Sequence, residues 1–209
     1  MEKYNIDLLA LILKGGPVMI LLLGLSIISL TIIIIKIIQF YKSDLHNIKK
    51  IDAAMEMVEK NKISNARNLL NTIYHPASKI LLVTIDSQKL SDKDKEDKIN
   101  IEAEKELRNL EFLLKPLEVI SNIAPLLGLL GTVIGMITAF SKLEESGSRV
   151  DPAILAGGIW EALLTTAFGL IVAIPALAAF YWLDGRVDNV REDIRHLIIK
   201  TNILLKNKK

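Results

Sequence analysis

Three long apolar stretches constrain the fold of this chain more than any other feature of its sequence. They cover residues 17–40, 117–140 and 153–183 of the 209, and away from their edges only Lys36 and Glu161 carry charge. A bilayer core about 30 Å thick is crossed by roughly 20 apolar residues in helical form. The sequence therefore predicts an all-α integral membrane protein with three transmembrane helices.

Composition excludes several classes of function. Charged residues make up 24% of the chain, yet the mean hydropathy is +0.36, because the charges lie mostly outside the apolar stretches. The absence of cysteine excludes disulfides, thiolate zinc sites and cysteine nucleophiles. Three histidines without helical ligand spacing argue against a metal site, and a net charge of +2 gives no support to nucleic-acid binding. Paired intramembrane aspartates, a serine–histidine pair and an HExxH motif are also absent, so we expect no enzymatic activity.

The distribution of Lys and Arg predicts the orientation in the membrane, because cytoplasmic segments carry the excess of these residues. The segment 41–116 contains 14 of the 26 basic residues and the tail 184–209 contains seven, whereas the connection 141–152 contains two. We therefore expect the long segment and the tail in the cytoplasm, and the N-terminus and short connection in the periplasm. The apolar segment within residues 1–16 is too short to span the membrane, so we expect a helix that lies in the outer interface.

The two cytoplasmic parts have the apolar spacing of amphipathic helices. In the segment 41–116, interruptions are expected at Asn61–Lys62 and His75–Pro76, and Pro116 is the only expected break before the second span. The second membrane helix should therefore extend into the cytoplasm. The tail has an apolar stripe that requires a partner, either the helix at 92–115 of the same chain or another subunit. The stripe consists of Val187, Val190, Ile194, Leu197, Thr201 and Leu204.

Small residues follow helical spacing along the second and third spans, which allows close approach of helices in lipid. The second span has the strip Pro125, Gly128, Thr132, Gly135 and Ala139, and the third has Gly158, Ala162, Thr165, Gly169, Val172, Ala176 and Ala179. Tight helix packing explains such strips without a channel. The predicted packing residues are Pro125, Gly128, Gly131, Gly135, Gly158, Gly169 and Pro175.

Glu161 adds a second interpretation to these strips. A carboxylate within a span costs on the order of 3 kcal/mol on insertion, so it usually faces a protein interior or a wet cavity. Thr165 lies one turn further along the helix and Thr132 could approach from the second span. A polar lumen is one hypothesis; a carboxylate that extends to the outer interface, or makes a structural hydrogen bond, is the other. Three helices do not enclose a water path, so the lumen hypothesis implies a homo-oligomer.

Two motifs resemble a known family. The stretches APLLGLLGTVIGM at 124–136 and GGIWEALLTTAFGLIVAIPALAAFYW at 157–182 are similar to the second and third spans of the ExbB/TolQ/MotA proton-channel family. Three spans and 209 residues are closer to the ExbB/TolQ branch than to MotA, which has four spans. The resemblance implies a ring, typically a pentamer, around a dimeric single-span partner of the ExbD/TolR type.

The resemblance also implies roles for individual residues. Thr132 and Thr166 match lumen-lining threonines, Glu161 matches the third-span glutamate, and Thr165 stands where many relatives have a small residue. The proton-loading aspartate of the family belongs to the partner. No cofactor is expected, and the translocated ion should be a proton, since the spans contain few other polar groups.

The function implied is that of a proton-channel subunit in the bacterial inner membrane. It would use the proton motive force to energise TonB-type outer-membrane import, together with the ExbD/TolR-like partner and a TonB-like protein. Two alternatives remain open: a TolQ-like subunit for envelope maintenance, with a TolA-like protein, and a non-conducting scaffold for the partner.

Overall fold

The computed structural model describes residues 15–45, 49–145 and 152–206, and these ranges contain helices and no strand. The helix predicted for residues 1–16 falls almost wholly outside them, as does half of the connection 141–152. Seven α-helices are present in the described ranges, with a 3₁₀ turn at Ser87–Lys89. They are α1 (Gly16–Lys42), α2 (Lys49–Glu59), α3 (Ile63–Leu70), α4 (Pro76–Asp86), α5 (Asp92–Glu111), α6 (Leu114–Glu145) and α7 (Pro152–Lys206).

Three helical segments of the described residues contain a stretch that is long and apolar enough to cross a membrane: α1, the segment that comprises α5 and α6, and α7. By length and composition these segments agree with the three predicted spans, whose bounds stay predictions. The helices are longer than the apolar stretches, since α6 begins at Leu114 and continues to Glu145, and α7 has 55 residues without interruption. Pro125 and Pro175 both lie inside continuous helix.

The chain divides into two compact units, and α1 and α7 contribute to both. The membrane unit combines residues 1–34 and 114–181, and the second unit combines 35–113 and 182–209. In the membrane unit, α1 begins at Gly16, whose φ of +65° suits glycine, and Pro17 occupies its first turn, where proline is tolerated. Its outer surface carries exposed aliphatic side chains: Ile20, Leu21, Ile27, Ile28, Leu30 and Ile34.

The second unit contains the amphipathic helices predicted for 41–116. Helix α2 buries Ile51, Met55 and Val58, as its spacing predicted. Its end is marked by Asn61 with φ +61°, and His75 caps the start of α4. Both interruptions are thereby confirmed.

The apolar stripe of the tail is buried within this same unit. Val187, Val190, Ile194 and Thr201 are buried, which confirms the same-chain alternative for them. Arg191 forms an ion pair with Glu111 of α5, and the Thr201 hydroxyl lies 3.2 Å from Met55 Sδ of α2. The tail therefore contacts α2 in addition to the helix that was expected.

The break before the second span differs from the prediction. It lies at Phe112–Leu113, where Leu113 has φ +70°, and not at Pro116, which is in the first turn of α6. Proline fits there because the first amides of a helix have no intrahelical acceptor. The last carbonyls of α5 are bound from α1: Lys36 Nζ donates to Leu110 O, and Gln39 Nε2 donates to Asn109 O.

Candidate functional site

Helices α6 and α7 approach each other closely because glycines line their contact. A Cβ placed on Gly128 would lie 3.0 Å from the Thr165 carbonyl oxygen, and one on Gly169 would lie 2.7 Å from the Ala124 carbonyl oxygen. At Gly135 the corresponding distance to Ala162 Cβ is 3.4 Å. These backbones could not pack so closely if the glycines carried side chains.

The buried strip of α6 differs from the predicted strip at two positions, each shifted by one residue. It consists of Ala124, Gly128, Gly131, Gly135 and Ala139, so that Ala124 and Gly131 replace Pro125 and Thr132. Steps of three and four residues both follow a helix with 3.6 residues per turn, and adjacent small residues leave the choice between them ambiguous. Opposite this strip, a Cβ on Gly158 would collide with the Ala139 Cβ.

Thr165 faces Gly131 of α6. It does not face Thr132, which the sequence suggested could approach it. The side chain of Thr165 is 1% exposed, and its hydroxyl donates to the Ala162 carbonyl at 2.8 Å. A Cβ on Gly131 would lie 2.6 Å from Thr165 Oγ1 and 2.7 Å from its Cβ. Thr165 therefore fills the space that Gly131 leaves open.

The other two threonines lie in different environments. The Thr166 hydroxyl is half-buried and donates to the Gly128 carbonyl of α6 over a long 3.4 Å. The Thr132 hydroxyl donates to the Leu129 carbonyl at 2.6 Å, and this side chain lines a groove of about 560 Å³ that also contains Glu144. Thr165 and Thr166 thus share the α6–α7 contact, whereas Thr132 belongs to another face of α6.

Glu161 is half-buried and lines an open groove of about 640 Å³. Its Oε1 would lie 3.7 Å from a Cβ on Gly16, at the start of α1. A carboxylate is favoured near a helix N-terminus, where the backbone amides give a partial positive charge. The other polar or aromatic residues of this groove are Thr138, Lys142, Glu145 and Trp160.

Several residues of the Glu161 groove were not predicted as site residues. Thr138, Lys142 and Glu145 follow helical steps of four and three, which is a signal that the sequence does contain. The proximity of Gly16 has no such signal, because it lies 145 positions before Glu161 in the chain. In the part of the chain that the structure describes, no group of three or more His, Asp or Glu side chains could hold a metal ion.

Comparison with known proteins identifies relatives of this chain. A family model described as the MotA/TolQ/ExbB proton channel family matches residues 66–196. A biopolymer transport protein ExbB homologue of Methanothermobacter thermautotrophicus is 34% identical over 152 residues, which is 73% of this chain and 53% of that protein. The Tol-Pal system protein TolQ of Haemophilus influenzae is 34% identical over 107 residues, 51% of this chain and 46% of that protein.

The chain thus spans about half the length of these two relatives. The biopolymer transport protein ExbB of Neisseria meningitidis serogroup A is 26% identical over 216 residues, 94% of this chain and 96% of that protein. The family match begins within α3, covers α4, α5 and α6, and continues into α7 as far as residue 196. Both motif-bearing spans, with Glu161 and the two threonines, therefore lie inside it.

Proposed function

Because the chain belongs to the MotA/TolQ/ExbB proton channel family, we propose that it is a proton-channel subunit of a motor in the bacterial inner membrane. The motor would use the proton motive force to energise TonB-type import across the outer membrane. The observation that carries this proposal is the position of Glu161, Thr165 and Thr166 within six residues of one otherwise apolar span, beside the glycines of α6.

Thr166 is the threonine we place on the proton path. A hydroxyl can both donate and accept hydrogen bonds, and the 3.4 Å bond to the Gly128 carbonyl is long enough to be exchanged for water or an ion. Thr165, buried with a 2.8 Å bond in its own helix, supports the helix contact instead. Thr132 would face the path only through another subunit.

Glu161 supplies the acidic group of the path. Its groove is open and contains Lys142 and Glu145, so water can reach the carboxylate from the end of α6 and α7. In the proposed orientation this end is periplasmic, and protons enter the membrane from that side. Glu161 would then concentrate protons where the apolar part of the span begins.

The partner and the oligomer complete this function. We propose a ring of five copies, by resemblance to the family, around a single-span dimer of the ExbD/TolR type that contributes the proton-loading aspartate. The predicted spans contain no aspartate of their own. Each charge that crosses at 100 mV supplies about 2.3 kcal/mol, which can drive movement of the ring relative to the dimer.

A second function is favoured by one specific observation. The 34% identity with a Tol-Pal system protein TolQ is as high as that with the ExbB homologue, so a TolQ-like role in envelope maintenance is the alternative. In that case the motor would act through a TolA-like protein. A scaffold that holds the partner without conducting ions is the further alternative.

Flux measurement separates conduction from a scaffold role. The chain and a single-span ExbD/TolR-type partner would be reconstituted in proteoliposomes with an internal pH-sensitive dye and an imposed potential. Proton flux should fall strongly in Thr166→Val and Glu161→Ala. Thr31→Val is the matched control, since Thr31 is an exposed threonine of α1 with its hydroxyl bonded to Ile27 O. Normal flux in both site variants, at normal incorporation, would contradict the proposed path.

A further inference from the structure

The second unit contains a small groove between α1 and α7, separate from the groove of Glu161. It has a volume of about 150 Å³. Its lining side chains are Ile37, Phe40, Tyr41, Leu45, Trp182 and Arg186. Five of the six are apolar or aromatic and one carries a positive charge. An apolar cavity of this size holds a small hydrocarbon group, so it fits part of an alkyl chain and not a polar headgroup.

The position of the groove along the chain places it where two spans reach the membrane surface. The first apolar stretch ends at Phe40 and the third at Leu183. Tyr41 is 88% exposed and Trp182 is 52% exposed. Tyr and Trp are enriched at the level of the lipid headgroups because one end of each side chain is apolar and the other can be hydrated.

The charge of the groove favours an anion beside the apolar cavity. The Arg186 guanidinium lies 5.3 Å from the centre of the Trp182 ring, which orients its planar fork. A guanidinium binds phosphate oxygens with two parallel hydrogen bonds. Lys42, in the last turn of α1, follows Tyr41 in the chain and does not line the groove. Asp44, which precedes Leu45 in the chain, lies 3.9 Å from Lys50 Nζ.

We propose that this groove binds an anionic phospholipid of the membrane leaflet that faces the large loop, the cytoplasmic leaflet in the proposed orientation. Part of one acyl chain occupies the cavity formed by Ile37, Phe40 and Leu45, and the phosphate binds Arg186. A bound lipid would join the end of α1 to the middle of α7. The inference does not depend on proton conduction, because the groove contains none of the residues of the proposed path.

Trp182 provides a direct measurement of this binding. The chain has two tryptophans, so Trp160→Phe leaves Trp182 as the sole tryptophan. This variant would be reconstituted in phosphatidylcholine vesicles that contain a minor fraction of brominated phosphatidylglycerol or, in a parallel sample, of brominated phosphatidylcholine. Bromine quenches tryptophan on contact, so the ratio of the two quenching efficiencies measures preference for the anionic lipid.

We expect a preference of about five-fold, which corresponds to about 1 kcal/mol, the contribution of one basic side chain near an anionic membrane surface. The preference should be lost in Arg186→Gln and kept in Arg195→Gln, an exposed arginine further along α7. Equal quenching by both lipids would overturn the proposal. A preference that persists in Arg186→Gln would overturn the assignment of the phosphate to Arg186.

Two further arms complete the test. Excess inorganic phosphate should leave the preference unchanged; if it abolishes the preference, the site binds free phosphate and the lipid assignment is wrong.

Leu45→Phe fills the cavity without changing charge, and it should reduce quenching by both lipids. Unchanged quenching in this variant would overturn the placement of the acyl chain. Circular dichroism establishes that each variant retains its helix content, and Leu45→Phe keeps the proposal testable if Arg186→Gln fails to fold.

Discussion

At Gly131, the space between α6 and α7 has no room for one methyl group. The position faces Thr165, a β-branched residue whose Cβ and hydroxyl are both held against it. Small residues of this kind set helix separation in a membrane, since lipid removes the hydrophobic driving force that operates in water. The proposed path beside Thr166 depends on this separation, because Gly128 and Gly131 are neighbours on the same strip.

Gly131→Ala should destabilise the membrane unit by about 1–3 kcal/mol, the usual cost of overpacking a close contact. The new Cβ would lie 2.6 Å from Thr165 Oγ1, so the helices must separate. Thermal unfolding in detergent measures the effect. Gly24→Ala is the control, because a Cβ there would have nothing within 4 Å. Equal unfolding temperatures for the two variants would contradict the assigned contact.

We expect His75 to make the stability of the second unit depend on pH. Burial lowers the pKa of His75, and Asp44 partly offsets this effect. The His75 Nδ1 accepts a hydrogen bond from the Ala77 amide at 3.1 Å, which requires the neutral form. The unfolded chain therefore binds a proton at a higher pH than the folded chain. Stability is fully present above about pH 6.5, the ordinary value, and falls as the pH drops toward the pKa of the folded state.

His75→Asn should remove this pH dependence while keeping a side-chain acceptor at the N-cap of α4. The wild-type protein should lose up to about 1.4 kcal/mol per pH unit below pH 6.5 relative to the variant. Denaturant titrations between about pH 5 and 8 measure the difference, and subtraction cancels the contributions of other groups. Parallel pH profiles for the two proteins would contradict the prediction.

Among the elements, the joint between α5 and α6 connects the predicted cytoplasmic helix with the second span. Its backbone turns at Leu113, and α5 ends with carbonyls that lack amide partners in their own helix. Lys36 and Gln39 of α1 bind two of these carbonyls. The Lys36 side chain is fully buried, and its Nζ also donates to Gln39 Oε1 at 2.8 Å. The positive charge is placed where the helix dipole is negative.

Lys36→Met should destabilise the second unit by about 1–3 kcal/mol, because it leaves the Leu110 carbonyl without its charged donor. Methionine keeps most of the length of the side chain, so the cavity term is small. Hydrogen exchange should accelerate mainly at the end of α5, near Leu110. Lys42→Met, an exposed lysine one turn and a half further on α1, should have little effect. Equal exchange rates near Leu110 in the two variants would show that Lys36 does not stabilise the C-terminal end of α5.

The sequence predicts the spanning helices better than it predicts which face of a helix is buried or where two helices are separated by a break. Twenty consecutive apolar residues have no stable alternative to a spanning helix in a bilayer, so the three spans follow from composition alone. The break at Leu113 has no signal, because leucine is a good helix former and Pro116 is the more visible candidate. On α6, Gly131 and Thr132 are both small, and only the partner helix decides which of them is buried. The contact of Gly16 with Glu161 is likewise tertiary.

At the scale of the whole molecule, the exposed surfaces of the membrane unit require different surroundings. The aliphatic side of α1 suits lipid. The groove beside Thr132 is lined by α6 residues, among them Met136, Phe140 and Glu144, and in the proposed ring this face would meet another subunit or the partner dimer. Its mixture of a hydroxyl, a carboxylate and apolar groups suits a protein surface better than acyl chains.

The orientation of the whole molecule can be tested with little engineering, since the chain has no cysteine. The proposed orientation predicts that single cysteines at Glu144 and Lys93, both exposed and helical, label from opposite sides of the membrane. A membrane-impermeant maleimide should label Glu144→Cys in intact spheroplasts. It should label Lys93→Cys only after permeabilisation, because the excess of Lys and Arg predicts a cytoplasmic location for the large loop. Labelling of Lys93→Cys in intact spheroplasts would reverse the proposed orientation and with it the side from which protons reach Glu161.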